Sequence, residues 1–376
     1  MARKRISKPN RKYCYKTQGE TINMNKLKIP IVIPAYEPDN SLLYLCNELI
    51  NNSIDDIIII DDGSGTTYRS IFETLKCKYK CTIITHAVNL GKGRALKTAF
   101  NYILNHKDKY LGCITADSDG QHTVKDIIEC MKALRDNPMS LILGCRDFSG
   151  NHIPFKSSFG NNLTKKIFSF LCGIQISDTQ TGLRGIPIDF MTELMNTPGE
   201  RFEFETNMLI QVKNKLNIIE VPIETIYDSK DNHKTHFNPI KDSIKIYKIF
   251  GKMFFKYIFS SLSSFVLDIV LFAFFCSILR GKINFTYITI STILARVISA
   301  SYNYLLNYKF VFNSNQDHKK SSWKYIILAI TQMCISAVLV TVLMISFKFN
   351  SETNIKIIID TILFFLSYYI QRKYIF

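Results

Sequence analysis

The chain has 376 residues, 47% of them hydrophobic, and a formal net charge of +16. That length exceeds one small domain, so two are expected. The basic residues crowd the N-terminal tail and the approach to long apolar stretches, with no nucleic-acid recognition motif among them, which sets nucleic acid aside and points to an anionic lipid surface.

In chain order, residues 1–28 form a basic tail with nine Lys or Arg. It has no apolar core of signal-peptide length, so an N-terminus kept in the cytoplasm is expected. Ile29-Pro30-Ile31-Val32-Ile33-Pro34-Ala35-Tyr36 reads as a buried strand stopped by proline, followed by an amphipathic helix over 41–50. A second buried strand, 57–60, runs straight into Asp61-Asp62-Gly63-Ser64-Gly65. A third, 81–85, leads to Asn89-Leu90-Gly91-Lys92-Gly93-Arg94 and a helix over 95–105. The fourth ends in Asp117-Ser118-Asp119-Gly120-Gln121-His122. Strand and helix alternating at this spacing predict a parallel sheet covered on both faces, with ligands at the strands' carboxyl ends.

Asp117 and Asp119, one residue apart at a strand end, suit a hard divalent cation shared with phosphate oxygens. A surface turn is the plainer alternative. Acids (Asp62, Asp117, Asp119) together with bases (Lys92, Arg94, Arg146) fit a metal-bound nucleotide diphosphate, although Lys92 and Arg94 would equally suit an exposed helix start. The Gly91–Arg94 run lacks P-loop spacing, and no G-x-G-x-x-G follows the first strand. No Ser-His-Asp order or HExxH motif competes. Ten cysteines contain no C-x-x-C pair and read as reduced thiols; Cys77 and Cys81 make half a metal site without a second half.

Pro34-Ala35-Tyr36, Ile60-Asp61-Asp62-Gly63-Ser64, Asn89-Leu90-Gly91-Lys92-Gly93 and Asp117-Ser118-Asp119-Gly120-Gln121-His122, in this order, resemble family 2 glycosyltransferases of the polyprenyl- or dolichol-phosphate hexose synthase branch. The resemblance implies an α/β GT-A fold, a Rossmann-like mostly parallel sheet, over residues 29–239. It implies that Pro34, Tyr36, Ile60 and Asp62 line the nucleotide pocket. Lys92, Asp117, Ser118 and Arg146 would serve the nucleotide-sugar, with Arg146 at its phosphates. Asp117, Asp119 and Gln121 would bind Mg²⁺ or Mn²⁺, and Asp119 counts among the catalytic residues. Glu37-Pro38 departs from the Asn-Glu common in the family. Ser177-Asp178-Thr179-Gln180-Thr181-Gly182-Leu183-Arg184 resembles the family segment ending Gly-Phe-Arg. It makes Asp178 a base or an acceptor-positioning group and Arg184 a phosphate contact. Arg201-Phe202-Glu203-Phe204-Glu205 would belong to the acceptor side. Lys234, in a candidate lid over 228–237, lies where the family places a phosphate-contacting lysine; a slip of two residues would put His236 there.

Displacing a nucleotide diphosphate from a sugar leaves negative charge on the departing phosphate, which a divalent cation and arginines stabilise. An acceptor that is itself a lipid phosphate is already ionised and needs no strong base, whereas a hydroxyl acceptor would make Asp178 indispensable. The expected activity is therefore inverting transfer of a hexose from a UDP- or GDP-sugar to polyprenyl (undecaprenyl) phosphate for cell-envelope glycosylation. The alternative is extension of a lipid-linked or polymeric glycan, with the apolar helices acting as anchor or lipid-sugar flippase.

Residues 240–256 alternate Lys with Ile, Phe and Tyr as an interfacial amphipathic helix would. Apolar spans follow at 257–279, 285–308, 325–347 and 355–371, an all-α four-helix transmembrane domain. Lysines crowd the middle connection, which with the basic tail predicts a multi-pass cell-membrane protein whose catalytic domain and termini are cytoplasmic. Lys256-Tyr257-Ile258-Phe259 recurs as Lys324-Tyr325-Ile326-Ile327. The run from Tyr304 to Phe312 recurs from Tyr368 to Phe376, suggesting two copies of a two-helix hairpin. This part resembles the GtrA-like family. Asp268, Arg296 and Asp360 fall inside the spans, roughly 18–20 Å from the cytoplasmic border at 1.5 Å per residue. Lone charges at that depth are expensive, so Arg296 is expected to face Asp268, Asp360 or both. The sugar and the base are left open, as is association into a homo-oligomer.

Overall fold

The computed structural model describes residues 14–17, 20–23, 26–146, 165, 168–170, 173–212, 215–224, 239–279, 287–314, 316–347 and 352–376. Two compact units emerge, one of residues 1–165 and 176–243, the other of residues 166–175 and 244–376.

The first unit opens with a short antiparallel pair, β1 (Cys14–Thr17) and β2 (Glu20–Asn23). Its body is a seven-stranded sheet. Strands β3 (Ile31–Ala35), β4 (Ile57–Asp61), β5 (Thr82–Thr85) and β6 (Gly112–Thr115) are mutually parallel, as the alternating pattern predicts. Beyond β6 the order continues through β8 (Arg184–Pro187), β7 (Ser140–Arg146) and β9 (Asn217–Ile223). β8 is antiparallel to both neighbours, and β9 is parallel to β7. Every residue of β4 is buried, the signature of a strand covered on both faces.

Helices α1 (Asn40–Asn51), α2 (Arg69–Cys77), α3 (Lys92–Leu104) and α4 (Val124–Asp136) link the early strands. Asp39 caps α1 by accepting from the Ser41 amide at 2.8 Å. At α4, Thr123 and Asp126 form a reciprocal box, the Asp126 amide donating to Thr123 Oγ1 at 3.1 Å and that hydroxyl donating to Asp126 Oδ2 at 2.7 Å. Short helices α5 (Ile188–Leu194) and α6 (Glu203–Val212) follow β8.

The orientation of β8 decides where the site forms. β3, β4, β5, β6 and β7 all deliver their carboxyl ends to one edge of the sheet, whereas β8 starts there. Thr115 at the end of β6 pairs with Arg184 at the start of β8. The segment just before β8, residues 177–183, is thereby set against the loops that follow β6 and β7.

The second unit holds α7 (Pro239–Leu279) from residue 244 onward, with α8 (Tyr287–Leu306), α9 (His318–Phe347) and α10 (Glu352–Ile370). The predicted amphipathic segment and first span are one unbroken helix, and within it Phe254–Leu279 is long and apolar enough to cross a bilayer. The internal repeat is visible. α8 and α10 each end in a π-helical turn, Asn307–Val311 and Gln371–Ile375. Lys256 reaches the Phe310 carbonyl at 3.5 Å, and Lys324 reaches the matching Tyr374 carbonyl at 3.0 Å. Between the copies the equivalent side chains Asn307 and Gln371 meet, Nδ2 donating to Oε1 at 3.0 Å. Around them lie Tyr257, Tyr304, Phe312, Tyr368 and Phe376. Phe170, from the 166–175 segment, stacks on Tyr369 with centroids 6.1 Å apart and planes within 7°.

Candidate active site

Asp117 follows β6, and its carboxylate is enclosed on three sides. Lys92, first residue of α3, places Nζ 2.7 Å from Asp117 Oδ1 and 3.0 Å from Glu205 Oε1. His122 Nε2 stands 3.5 Å from Asp117 Oδ2, outside hydrogen-bond geometry, and both ring nitrogens are buried without a hydrogen-bond partner. Gly182 closes the third side, since a Cβ there would lie 2.2 Å from Asp117 Oδ2. Asp119 Oδ1 accepts from the Gln121 amide at 3.1 Å.

The electrostatics split the two carboxylates. Burial alone would push the Lys92 ammonium towards neutrality, but Asp117 and Glu205 outweigh it and hold Lys92 above the ordinary lysine range. At Asp117, burial opposes ionisation, yet Lys92 and His122 more than offset it and keep the carboxyl below the usual range. Asp119 moves the other way, raised first by burial and then by the charge of Asp117. Two crowded carboxylates, one of them destabilised by the other, suit a divalent cation between them. Among the described residues no group of three His, Cys, Asp or Glu gathers into a metal cluster. Any cation held by Asp117, Asp119 and the Gln121 side-chain carbonyl oxygen would thus complete its shell with oxygens of a bound ligand, the usual arrangement for Mg²⁺ with phosphates.

Asp62 sits at the end of β4 and binds protein rather than solvent. His86 Nδ1 lies 2.7 Å from its Oδ1, which also accepts from the Leu90 amide at 3.0 Å, while the Gly91 amide donates to Oδ2 at 2.7 Å. It therefore shapes the 86–91 loop beside the site. The Glu37 amide, at φ +48°, donates to Ser64 Oγ at 2.9 Å and ties the loop after β3 to the one after β4. Pro34 and Ile60 pair across β3 and β4, with Ile60 wholly buried in the core. Tyr36 and Ser118 are half-buried beside these loops.

Arg146 ends β7 and grips Asp178 with both arms, Nε to Oδ2 at 2.6 Å and Nη2 to Oδ1 at 3.1 Å. Asp178 has 0% exposure and also accepts from the Gln180 amide at 3.0 Å. Both Asp178 oxygens are held by the guanidinium, so the two residues form one ion-paired unit. Arg184 is 1% exposed, and its guanidinium donates to the Thr181 carbonyl at 2.9 Å and the Glu205 carbonyl at 2.8 Å. It braces the segment before β8. Arg94 turns to Glu200, 2.5 Å away, and Lys97 reaches the same carboxylate at 3.1 Å. Lys234 and the 228–237 loop lie outside the described residues.

Glu200 and His86 belong to no motif singled out in the sequence, and Glu205 enters only as part of the acceptor-side run 201–205. The signal for Glu205 was present in the doubled Glu203-Phe204-Glu205 at the start of α6. Nothing local, however, shows that it meets a lysine more than a hundred positions earlier.

In the second unit Arg296 Nη2 lies 3.4 Å from Asp268 Oδ2, and the Ser299 hydroxyl donates to Asp268 Oδ1 at 2.7 Å. Asp360 accepts from the Ser336 hydroxyl at 2.5 Å. Of the two partners expected for Arg296, Asp268 is the one it meets.

Residues 31–193 match the family model described as Glycosyl transferase family 2, and residues 256–376 match that of the GtrA/DPMS transmembrane domain. A UDP-N-acetylglucosamine–dolichyl-phosphate N-acetylglucosaminyltransferase of Methanococcus voltae is 31% identical over 222 residues, 53% of this chain and 86% of that protein. An uncharacterized protein of Methanocaldococcus jannaschii is 29% identical over 218 residues, 56% of this chain and 87% of the relative. Among solved structures, glucosyl-3-phosphoglycerate synthase from Mycobacterium tuberculosis, in complex with Mn²⁺, UDP and glucosyl-3-phosphoglycerate, superposes with a TM-score of 0.42 at 14% identity. That overlap covers 61% of this chain and 81% of the other.

Proposed function

Since the chain belongs to glycosyl transferase family 2 and ends in a GtrA/DPMS transmembrane domain, we propose that this membrane glycosyltransferase moves a hexose from a nucleotide-diphosphate sugar to a polyprenyl phosphate, with inversion and with Mg²⁺ or Mn²⁺. One observation carries the choice of acceptor. Asp178, the carboxylate that would deprotonate a hydroxyl acceptor, has no exposed surface and gives both oxygens to Arg146. A phosphate acceptor arrives ionised and needs no such base.

In this reading Asp117, Asp119 and Gln121 hold the cation, which when bound neutralises charge on the leaving diphosphate. Lys92 and Arg146 supply positive charge beside it, and Asp178 holds the Arg146 guanidinium in place. Two anions, donor and acceptor, must approach without repulsion, and this basic surround allows it. Pro34, Tyr36, Asp62 and Ser118 belong to the nucleotide side, Asp62 through the loop it shapes, whereas Ile60, expected there, is enclosed in the core. Lys234 is assigned there by family position alone. The resemblance to the Methanococcus voltae enzyme ranks UDP-N-acetylglucosamine first in a donor panel. The catalytic domain is proposed to span 29–239 and to face the cytoplasm, as do both termini.

The test uses full-length protein in detergent with a panel of UDP- and GDP-sugars. Undecaprenyl phosphate should be glycosylated, chelator should abolish transfer, and Mn²⁺ or Mg²⁺ should restore it. Asp117→Asn/Asp119→Asn should be inactive. Transfer to a sugar-alcohol acceptor but not to the lipid phosphate would sink the proposal in favour of glycan extension.

A further inference from the structure

Lys92 occupies an unusual place for a side chain expected to face a ligand phosphate. Its ammonium spans two carboxylates, Asp117 at 2.7 Å and Glu205 at 3.0 Å, while the Phe202 ring centroid lies 5.9 Å away. An ammonium and a divalent cation compete for the oxygen that the ammonium already holds, because like charges at contact distance repel strongly in a partly desolvated site. We propose that Lys92 is the resident counter-cation of the metal pair. It neutralises Asp117 in the empty enzyme and hands that carboxylate to the metal only when the donor's diphosphate offers a replacement anion, with Glu205 keeping it in reach. This rests on the reading of Asp117 and Asp119 as metal-holding residues.

Three features make the exchange a movement of one side chain rather than of a loop. The start of α3 is pinned, with the Arg94 amide donating to the Glu200 carbonyl at 2.9 Å. Gly93 packs so closely on α6 that a Cβ would lie 2.6 Å from Phe204 Cβ. Asp117 cannot retreat from the lysine, since Gly182 backs its carboxylate. The ammonium alone is at the end of a flexible stem with a third donor to spare. Glu205, with 10% of its side chain exposed, stays behind as the second anchor. The consequence is coupling. Metal alone must displace a bound cation and binds weakly, whereas metal and nucleotide together satisfy every charge, so each raises the affinity for the other.

The experiment measures Mn²⁺ affinity of the full-length protein in detergent, from the free-ion electron paramagnetic resonance signal, with and without UDP. Lys92→Met/Glu205→Gln removes the ammonium and its second anchor together, so that Asp117 alone is left without its counter-cation. It should bind Mn²⁺ alone about tenfold or more tighter than the parent and lose most of the UDP enhancement. Lys92→Arg, which keeps the charge, should behave as the parent. If the folded double variant binds Mn²⁺ no more tightly than the parent, or if Lys92→Arg tracks it, Lys92 is an ordinary ion-pair residue and the inference falls. Asp117→Asn/Asp119→Asn separates the two levels: retention of Mn²⁺ binding there would overturn the metal pair itself, and the exchange with it.

Discussion

Replacing Arg146 with methionine should destabilise the first unit more than any change to its partner. Asp178 has 0% exposure, whereas the Arg146 side chain is 21% exposed. Without the guanidinium, the described contacts leave the carboxylate one donor, the Gln180 amide at 3.0 Å. Breaking one side of a buried ion pair costs about 3–5 kcal/mol. At about 2–4 °C per kcal/mol for a unit of this size, Arg146→Met should melt about 6–20 °C lower. Asp178→Leu leaves a guanidinium that can turn towards water, and should cost about 1–3 kcal/mol. The double variant removes both charges at once and should return to within about 2 kcal/mol of the parent. A fluorogenic thiol dye reads the transition, because Cys46, Cys81, Cys113, Cys130 and Cys145 are all buried in this unit while Cys77, with Cys334 of the second unit, is exposed and contributes to the baseline. Additive losses in the double variant, or a larger loss in Asp178→Leu than in Arg146→Met, would refute the reasoning.

Gly182→Ala should place a methyl against Asp117 and lower transfer about a hundredfold or more, in line with an ångström-scale displacement of a catalytic group; near-normal activity would show that Asp117 has room to shift. Burial pushes the Cys130 thiol up to about 12, so at pH 8 it stays protonated and unreactive. Iodoacetamide should modify Cys77 and spare Cys130 in peptide mass spectra, with Cys130 labelling appearing only on unfolding. Arg296→Leu leaves Asp268 its Ser299 contact and should leave UDP affinity within about twofold of the parent. A shift in the fluorescence of Trp323, the single tryptophan and part of α9, should report its effect on the helical unit.

What the sequence made legible follows from where its signals are local. Apolar runs ending in Asp62 and Asp117 marked the strands, and the carboxyl-edge rule then placed their loops together. The duplicated aromatic-basic borders pointed to two copies of a hairpin, and the structure adds matched π-helical turns at Asn307 and Gln371. β8 escaped because four residues, Arg-Gly-Ile-Pro, carry no strand signal of their own. Its antiparallel entry depends on how the chain returns from Arg146. The fates of Arg146, Lys92 and Arg184 escaped for a related reason. A basic residue near a phosphate site and one clamped by a carboxylate look identical in sequence, and the carboxylates that claim Arg146 and Lys92 stand 32 and 113 positions later. Carried over motif by motif, Asp178 reads as a base or an acceptor-positioning group and Arg146 as a phosphate ligand; the structure adds that the two are ion-paired.

The matching hairpins of the second unit put Arg296 and Asp360 at corresponding steps, each thirteen residues before a border lysine, Lys309 or Lys373. Two identical hairpins assembled from separate chains would be obliged to show the same side chain at both steps, cation against cation or acid against acid. Tandem fusion lifts that obligation. One half can bear a guanidinium countered by Asp268 while its twin bears a carboxylate met by the Ser336 hydroxyl. The pair of halves thereby acquires a polarity across its near-symmetry axis that no association of equal parts could possess.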